Sequence, residues 1–162
     1  MNIMKRLRWA IRHYNPVKYW SMRDIIVEKK GSKLYRIICL YRIKRMDAFN
    51  GASMGTNLDV SASFSTPPHM PHGISGVYVS HNAVIGKNAT IYHQVTIGEG
   101  SNGAPVIGDN CLIGAGAKII GGIQVGNNVR IGANCVVCED IPDNCTVVME
   151  KARIIQREVS DM

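Results

Sequence analysis

Between Val79 and Pro142 a branched aliphatic residue opens a six-residue unit ten times over, usually with Gly behind it and a small or aliphatic residue four places on. The openers are Val79, Ile85, Ile91 and Ile97, then, beyond an interruption, Ile107, Ile113, Ile119, Val125, Ile131 and Val137. Self-similarity at a short fixed period marks a solenoid, in which no repeat buries its apolar face alone and stacked neighbours build one continuous core. An ordinary sandwich would alternate with period two instead. The spacing therefore predicts a parallel β-helix whose openers point inward together with Ala83, Ala89, Val95, Cys111, Ala117, Val129, Cys135 and Ile141. The glycines behind the openers, such as Gly108 and Gly114, are expected at corners where backbones run close and the dihedral angles penalise a β-carbon.

The period also runs backward. Leu58, Phe64 and Met70 are six apart, Ala62 lies four after Leu58, and three extra residues separate Met70's unit from Val79, so one more coil is expected before the clean repeats. Two interruptions remain, at 72–78 and 99–106. Departures from a repeat become loops on one face of a solenoid, and such loops tend to carry function.

Three segments follow: a basic helical segment over 1–55, the β-helix over 56–148 and a tail over 149–162. Residues 1–50 hold 13 Lys and Arg against 3 acidic residues, whereas the remainder holds 6 against 9, so the basic character belongs to the first segment alone. Within it, 2–13 puts Ile3, Leu7, Ala10 and Ile11 on one helical face with Lys5, Arg6, Arg8 and Arg12 mostly off it, and Pro16 interrupts. Ser21 with Asp24 predicts the start of a short helix that ends at Gly31, and Ser32 caps a third run with Leu34, Ile37, Ile38 and Tyr41 on one face. Such an arm either packs on the β-helix or a neighbouring subunit, or rests on anionic lipid, where each Lys or Arg contributes roughly 1 kcal/mol. No nucleic-acid reader motif is present. No apolar run approaches the roughly 20 residues that span a bilayer, and no secretory signal opens the chain, so the expected location is cytoplasmic, or peripheral at the inner membrane face. Cys111 and Cys135 occupy inward slots, and Cys135 with Cys138, although spaced C-x-x-C, does not stand at a helix start, where redox motifs belong.

Few residues can do chemistry. There is no P-loop, no nucleophile elbow and no H-E-x-x-H. His72 lies at the first interruption, in Pro71-His72-Gly73-Ile74, where a loop leaves the repeating surface and a neutral imidazole can take a proton from an alcohol near neutral pH. An exposed loop histidine without a role is the plainer reading of the spacing alone. His69, His81 and His93 are twelve apart, but a three-sided coil takes about eighteen residues, so they are expected on different faces and no metal site is expected within one subunit.

Residues 57–155 resemble the hexapeptide-repeat acyltransferases, most closely the serine acetyltransferase-like branch that includes colanic-acid and capsular polysaccharide O-acetyltransferases. The resemblance is carried by His72-Gly73, Ala83-Val84-Ile85-Gly86, Thr90-Ile91, Val95-Thr96-Ile97-Gly98, Pro105-Val106-Ile107-Gly108, Ile113-Gly114-Ala115-Gly116-Ala117-Lys118-Ile119, Ile131-Gly132-Ala133 and Ala152-Arg153-Ile154. It implies a mainly β fold, a left-handed parallel β-helix, assembled as a homotrimer with acetyl-CoA as co-substrate in the groove between subunits and no metal. It also implies that His72 is the general base for direct transfer, with no acyl-enzyme. The carboxylate that usually orients the base falls at Asn57 in an ungapped match, with Asp59 two residues on along the same outward side, so both are candidates to support His72. For coenzyme A, Ala115 and Ala133 match backbone contacts to the pantetheine arm, Glu99 and Gly100 a segment near the thiol, and Arg130 a cationic site. Lys118 lies in the same motif as Ala115, and Lys151 and Arg153 could meet the nucleotide phosphates.

The departures bear on the acceptor. Serine acetyltransferases generally carry an acidic residue before the base and an Arg-His pair before the proline of the second loop; this chain has Pro71 and Gly103-Ala104 there. Burying the unpaired ammonium or carboxylate of an amino acid costs several kcal/mol. The leading expectation is therefore transfer to a sugar hydroxyl of a surface polysaccharide or its lipid-linked precursor, with serine O-acetylation as the alternative. A zinc hydratase of gamma-carbonic-anhydrase type and a non-catalytic scaffold stand outside this chemistry.

Overall fold

In the computed structural model, which describes residues 3–155, three helices lead into a triangular stack of short parallel strands. The tail beyond residue 155 and the side chains of Lys5, Arg6 and Arg8 lie outside the described set. The helices are α1 (Ile3–Ile11), α2 (Pro16–Val27) and α3 (Lys33–Phe49). The strands are β1 (Ser63–Phe64), β2 (Tyr78–Val79), β3 (Val84–Ile85), β4 (Thr90–Ile91), β5 (Thr96–Gly98), β6 (Val106–Ile107), β7 (Leu112–Ile113), β8 (Lys118–Ile120), β9 (Gln124–Val125), β10 (Arg130–Ile131), β11 (Val136–Val137) and β12 (Thr146–Val147).

Three four-stranded parallel sheets form the faces: β1-β3-β6-β9, β4-β7-β10-β12 and β2-β5-β8-β11. Each strand pairs with one a full coil away, and this parallel coil is consistent with a left-handed β-helix. Every predicted inward residue is buried, the openers Ile85, Ile91, Ile97 and Ile119 completely so. The extra coil is present as well: β1 pairs with β3, and single bridges join Ser53 to Tyr78 and His69 to Thr90.

The corners correct one detail. The glycines behind the openers do crowd a neighbouring backbone, since a β-carbon on Gly114 would stand 2.7 Å from the Ala133 nitrogen and one on Gly108 2.8 Å from the Gly126 carbonyl. The left-handed backbone falls two places later, on Asn88, Gln94, Asn110, Asn128, Asn134 and Asn144. Asn tolerates that region because its short polar side chain bonds locally. Four of these asparagines stack, each carboxamide donating to the next: Asn88 to Asn110 (3.1 Å), Asn110 to Asn128 (3.2 Å) and Asn128 to Asn144 (3.0 Å).

The arm departs further from expectation. Pro16 starts α2 rather than interrupting a helix: Asn15 caps it by accepting from the Lys18 amide at 3.2 Å, and proline lacks only an N–H that the first turn leaves unused. Ser32 does cap α3, accepting from the Tyr35 amide. The buried face of α3, however, is Cys39, Ile43 and Asp47, while Leu34, Ile37, Ile38 and Tyr41 are exposed, as are Ile3, Leu7 and Ile11 on α1. No helix among the described residues is long and apolar enough to cross a membrane.

A buried polar joint docks the arm on the first coil. Arg23 of α2 donates to the Ala62 carbonyl, with its guanidinium 4.8 Å from the Phe64 ring centre and 5.4 Å from that of Trp20. Tyr19 donates to Asp47 at 2.8 Å. Burial pushes the Asp47 carboxyl up to about 6, against the opposing pull of the Tyr19 hydroxyl and nearby cations.

Candidate functional site

Strand register aligns one corner of the prism into a column. His69 bridges Thr90, Thr90 pairs with Leu112 and Leu112 with Arg130, so three residues further along each segment His72, His93, Ala115 and Ala133 stand at matching places in successive coils. Backbone bonds continue the match past the strands: the Gly116 amide donates to the His93 carbonyl at 3.0 Å, and the Asn134 amide to the Ala115 carbonyl at 2.8 Å.

At the head of this column the two imidazoles meet, Nδ1 to Nδ1, at 2.7 Å, with ring centres 4.7 Å apart. Tyr92 sets its ring edgewise to His72 at 5.7 Å. His72 sits on the turn that follows Met70, where Gly73 and Gly76 take left-handed backbone, and the Ser75 carbonyl accepts from the Gln94 amide, seating the turn on the corner below. The ring is exposed. It opens on a cavity of about 480 Å³ shared with Ile11, Arg12, Phe49, Asn50, Ser75 and His93. The helical arm thus walls one side of this space, and the Asn50 carboxamide, donating to the Arg12 carbonyl at 3.1 Å, ties the end of α3 to the residue after α1.

The remaining candidates distribute as follows. Asn57 and Asp59 lie on the turn before Ala62, where the Asn57 amide donates to the Ser61 hydroxyl, and the hydrogen-bond partner of the His72 ring among the described residues is His93. Arg130 precedes the Ala133 corner on the outer side of β10, and Lys118 follows the Ala115 corner on β8, where its ammonium donates to the Gln94 carbonyl at 2.9 Å. Lys151 and Arg153 are exposed beyond β12, at the far end of the same column. Glu99 and Gly100 stand apart, on the next corner: the Glu99 carboxylate accepts from Ser80 and Asn82, and Gly100 pairs with Gly103 across a tight hairpin that is the second interruption. No group of three His, Cys, Asp or Glu placed to hold a metal ion occurs among the described residues.

In the sequence, His93 stands out only through its twelve-residue steps from His69 and His81. The signal for its real neighbour was available, because three extra residues lengthen this coil and His72 and His93 are separated by 21, the same offset that pairs Ser63 with Val84.

The sequence and the fold have parallels among known proteins. Residues 104–139 match the family model described as bacterial transferase hexapeptide (six repeats). The serine acetyltransferase of Staphylococcus aureus strain COL is 39% identical over 153 residues, covering 92% of this chain and 62% of its own length. That of Synechococcus elongatus is 38% identical over 107 residues, 64% of this chain and 43% of its own. Among solved structures, serine acetyltransferase isoform 3 of Entamoeba histolytica in complex with cysteine superposes with a TM-score of 0.67 at 30% identity, covering 86% of this chain and 50% of that one. The Brucella abortus serine acetyltransferase gives 0.65 at 31% identity, with 85% and 54% covered. The chain therefore spans about half of each of these two structures. By sequence and by fold alike, it fits the hexapeptide-repeat acyltransferases, in their serine acetyltransferase-like branch.

Proposed function

We propose that the protein is an acetyl-CoA-dependent O-acetyltransferase in which His72 takes the proton of an acceptor hydroxyl. As the proton leaves, the hydroxyl oxygen attacks the thioester carbon; the carbon–sulfur bond then breaks and coenzyme A departs as thiolate, which recovers the proton from His72. The observation that carries this reading is the column itself. An exposed imidazole on an open cavity heads the same corner that bears Ala115 and Ala133, the positions matched to the pantetheine arm, with Lys118 and Arg130 on either side of it. Lys151 and Arg153 would meet phosphate beyond its far end. Glu99 and Gly100 belong to a different corner, so one ligand would touch both sets only between subunits, which favours the homotrimer. Asn57 and Asp59 remain candidates to support the base, Asp59 through its charge.

Two acceptors are in view. L-Serine has the better support, because the relatives carry that name and Arg12 supplies a cation to the cavity for a carboxylate. A sugar hydroxyl is favoured by two observations: among the described residues no carboxylate lines the cavity to meet an ammonium, and Pro71 and Gly103-Ala104 stand at the positions matched to the serine enzymes' charged residues. Thiol release from acetyl-CoA, measured with L-serine and with a panel of simple glycosides, separates them. Acceptor-dependent release with either class supports O-acetyl transfer and names the acceptor; no release with any hydroxyl compound overturns the reading.

A further inference from the structure

We propose that His93 is a positioning residue that fixes the tautomer of His72. The inference rests on His72 being the proton acceptor, and adds the source of its readiness. A neutral imidazole carries one N–H and one lone pair, so a bond between two Nδ1 atoms at 2.7 Å requires one ring to donate and the other to accept. If His72 accepts, its proton sits on Nε2, its one lone pair is already engaged, and the ring is no base. If His93 accepts, His72 carries its proton on Nδ1 and keeps a free lone pair on Nε2 for the acceptor hydroxyl.

Three features favour the second arrangement. His93 is half-buried and His72 exposed, so the charge gained during transfer is better solvated on His72. The bond then becomes charge-assisted, His72 Nδ1–H to a neutral His93, and strengthens as the imidazolium forms. His93 is also anchored to the stack: its carbonyl accepts from the Gly116 amide on the next coil, and Ile91, two residues before it, is paired in β4. His93 neither gains nor loses a proton over the cycle. It supplies an uncharged acceptor for a base whose usual carboxylate partner is matched in this sequence by Asn57.

The test is the tautomer of His72, read from imidazole ¹⁵N shifts at a pH where both rings are neutral, in the full chain, in His93→Asn and in His93→Ala. Asn places its carbonyl oxygen near where the His93 Nδ1 lies. The wild type and His93→Asn are expected to hold His72 as the Nδ1–H form, and His93→Ala to release it toward the Nε2–H form that free imidazole favours. In acceptor-dependent turnover, His93→Ala is expected to lose roughly tenfold to a hundredfold in kcat with the KM for acetyl-CoA unchanged, and His93→Asn to recover most of it. An Nε2–H His72 in the wild type, or the same tautomer in all three proteins, overturns the proposal. The shifts are read without turnover, so this result is independent of whether the acetyl-transfer reading holds.

Discussion

Ile113 has near-copies one coil away on either side, Ile91 and Ile131, paired with it through β4 and β10. Arg23 has no counterpart among the described residues. The stack is held by the same small device repeated: an aliphatic opener inside, a glycine at the close approach, and commonly an asparagine in left-handed backbone outside. The arm carries a polar joint that is not repeated: Arg23 of α2 reaches the Ala62 carbonyl on the coil, Tyr19 ties α2 to Asp47 of α3, and Trp20 packs edgewise on Phe64 beside them. Repetition spreads stability over neighbouring interfaces, whereas a unique buried network concentrates it. The arm's joint matters for the site because α1 and α3 wall the His72 cavity through Arg12, Phe49 and Asn50.

That contrast can be broken at its weak side first. Arg23→Ala removes the bond to the Ala62 carbonyl and the buried side chain packed on Trp20 and Phe64, and is expected to cost about 3 kcal/mol, concentrated in the arm. Amide exchange should show α2 and α3 losing protection while β5 and β8 keep theirs; uniform loss through the stack would mean that the two regions fold as one. Ile113→Ala removes a fully buried side chain from the repeat and is expected to cost about 3 kcal/mol in denaturant unfolding, with the arm's exchange unaltered.

The pH dependence sharpens the same point. An unfolded Asp titrates near pH 4, and burial raises the folded Asp47 to about 6. Between these values the folded state binds the extra proton, so this group's contribution to stability is complete below about pH 4 and is lost as pH rises through about 6. The difference in unfolding free energy between wild type and Asp47→Asn should fall by about 2 to 3 kcal/mol across that window and stay level above it. A flat difference would show that Asp47 titrates normally.

The coils were legible because a period of six is a local property that the stack merely repeats; the extra coil at Leu58, Phe64 and Met70 followed from the same count. In the arm two signals compete. Pro16 looked like a break, yet proline suits a first helical turn once Asn15 supplies the cap. On α3 two apolar stripes coexist, and periodicity cannot say which one is buried; the buried one carries Cys39, Ile43 and Asp47, where the Tyr19 hydroxyl of α2 bonds the Asp47 carboxylate. His72 was visible as a loop residue. Its pairing with His93 hid behind the three inserted residues, since a fixed step of eighteen never joins them.

In the proposed reaction the imidazole at position 72 moves the acceptor's proton. Acceptor-dependent thiol release from acetyl-CoA, compared between the wild type and a folded His72→Ala protein, tests it directly. His72→Ala is expected to lose about 10² to 10⁴ in kcat, the usual worth of a general base. Equal rates in the two proteins would contradict it.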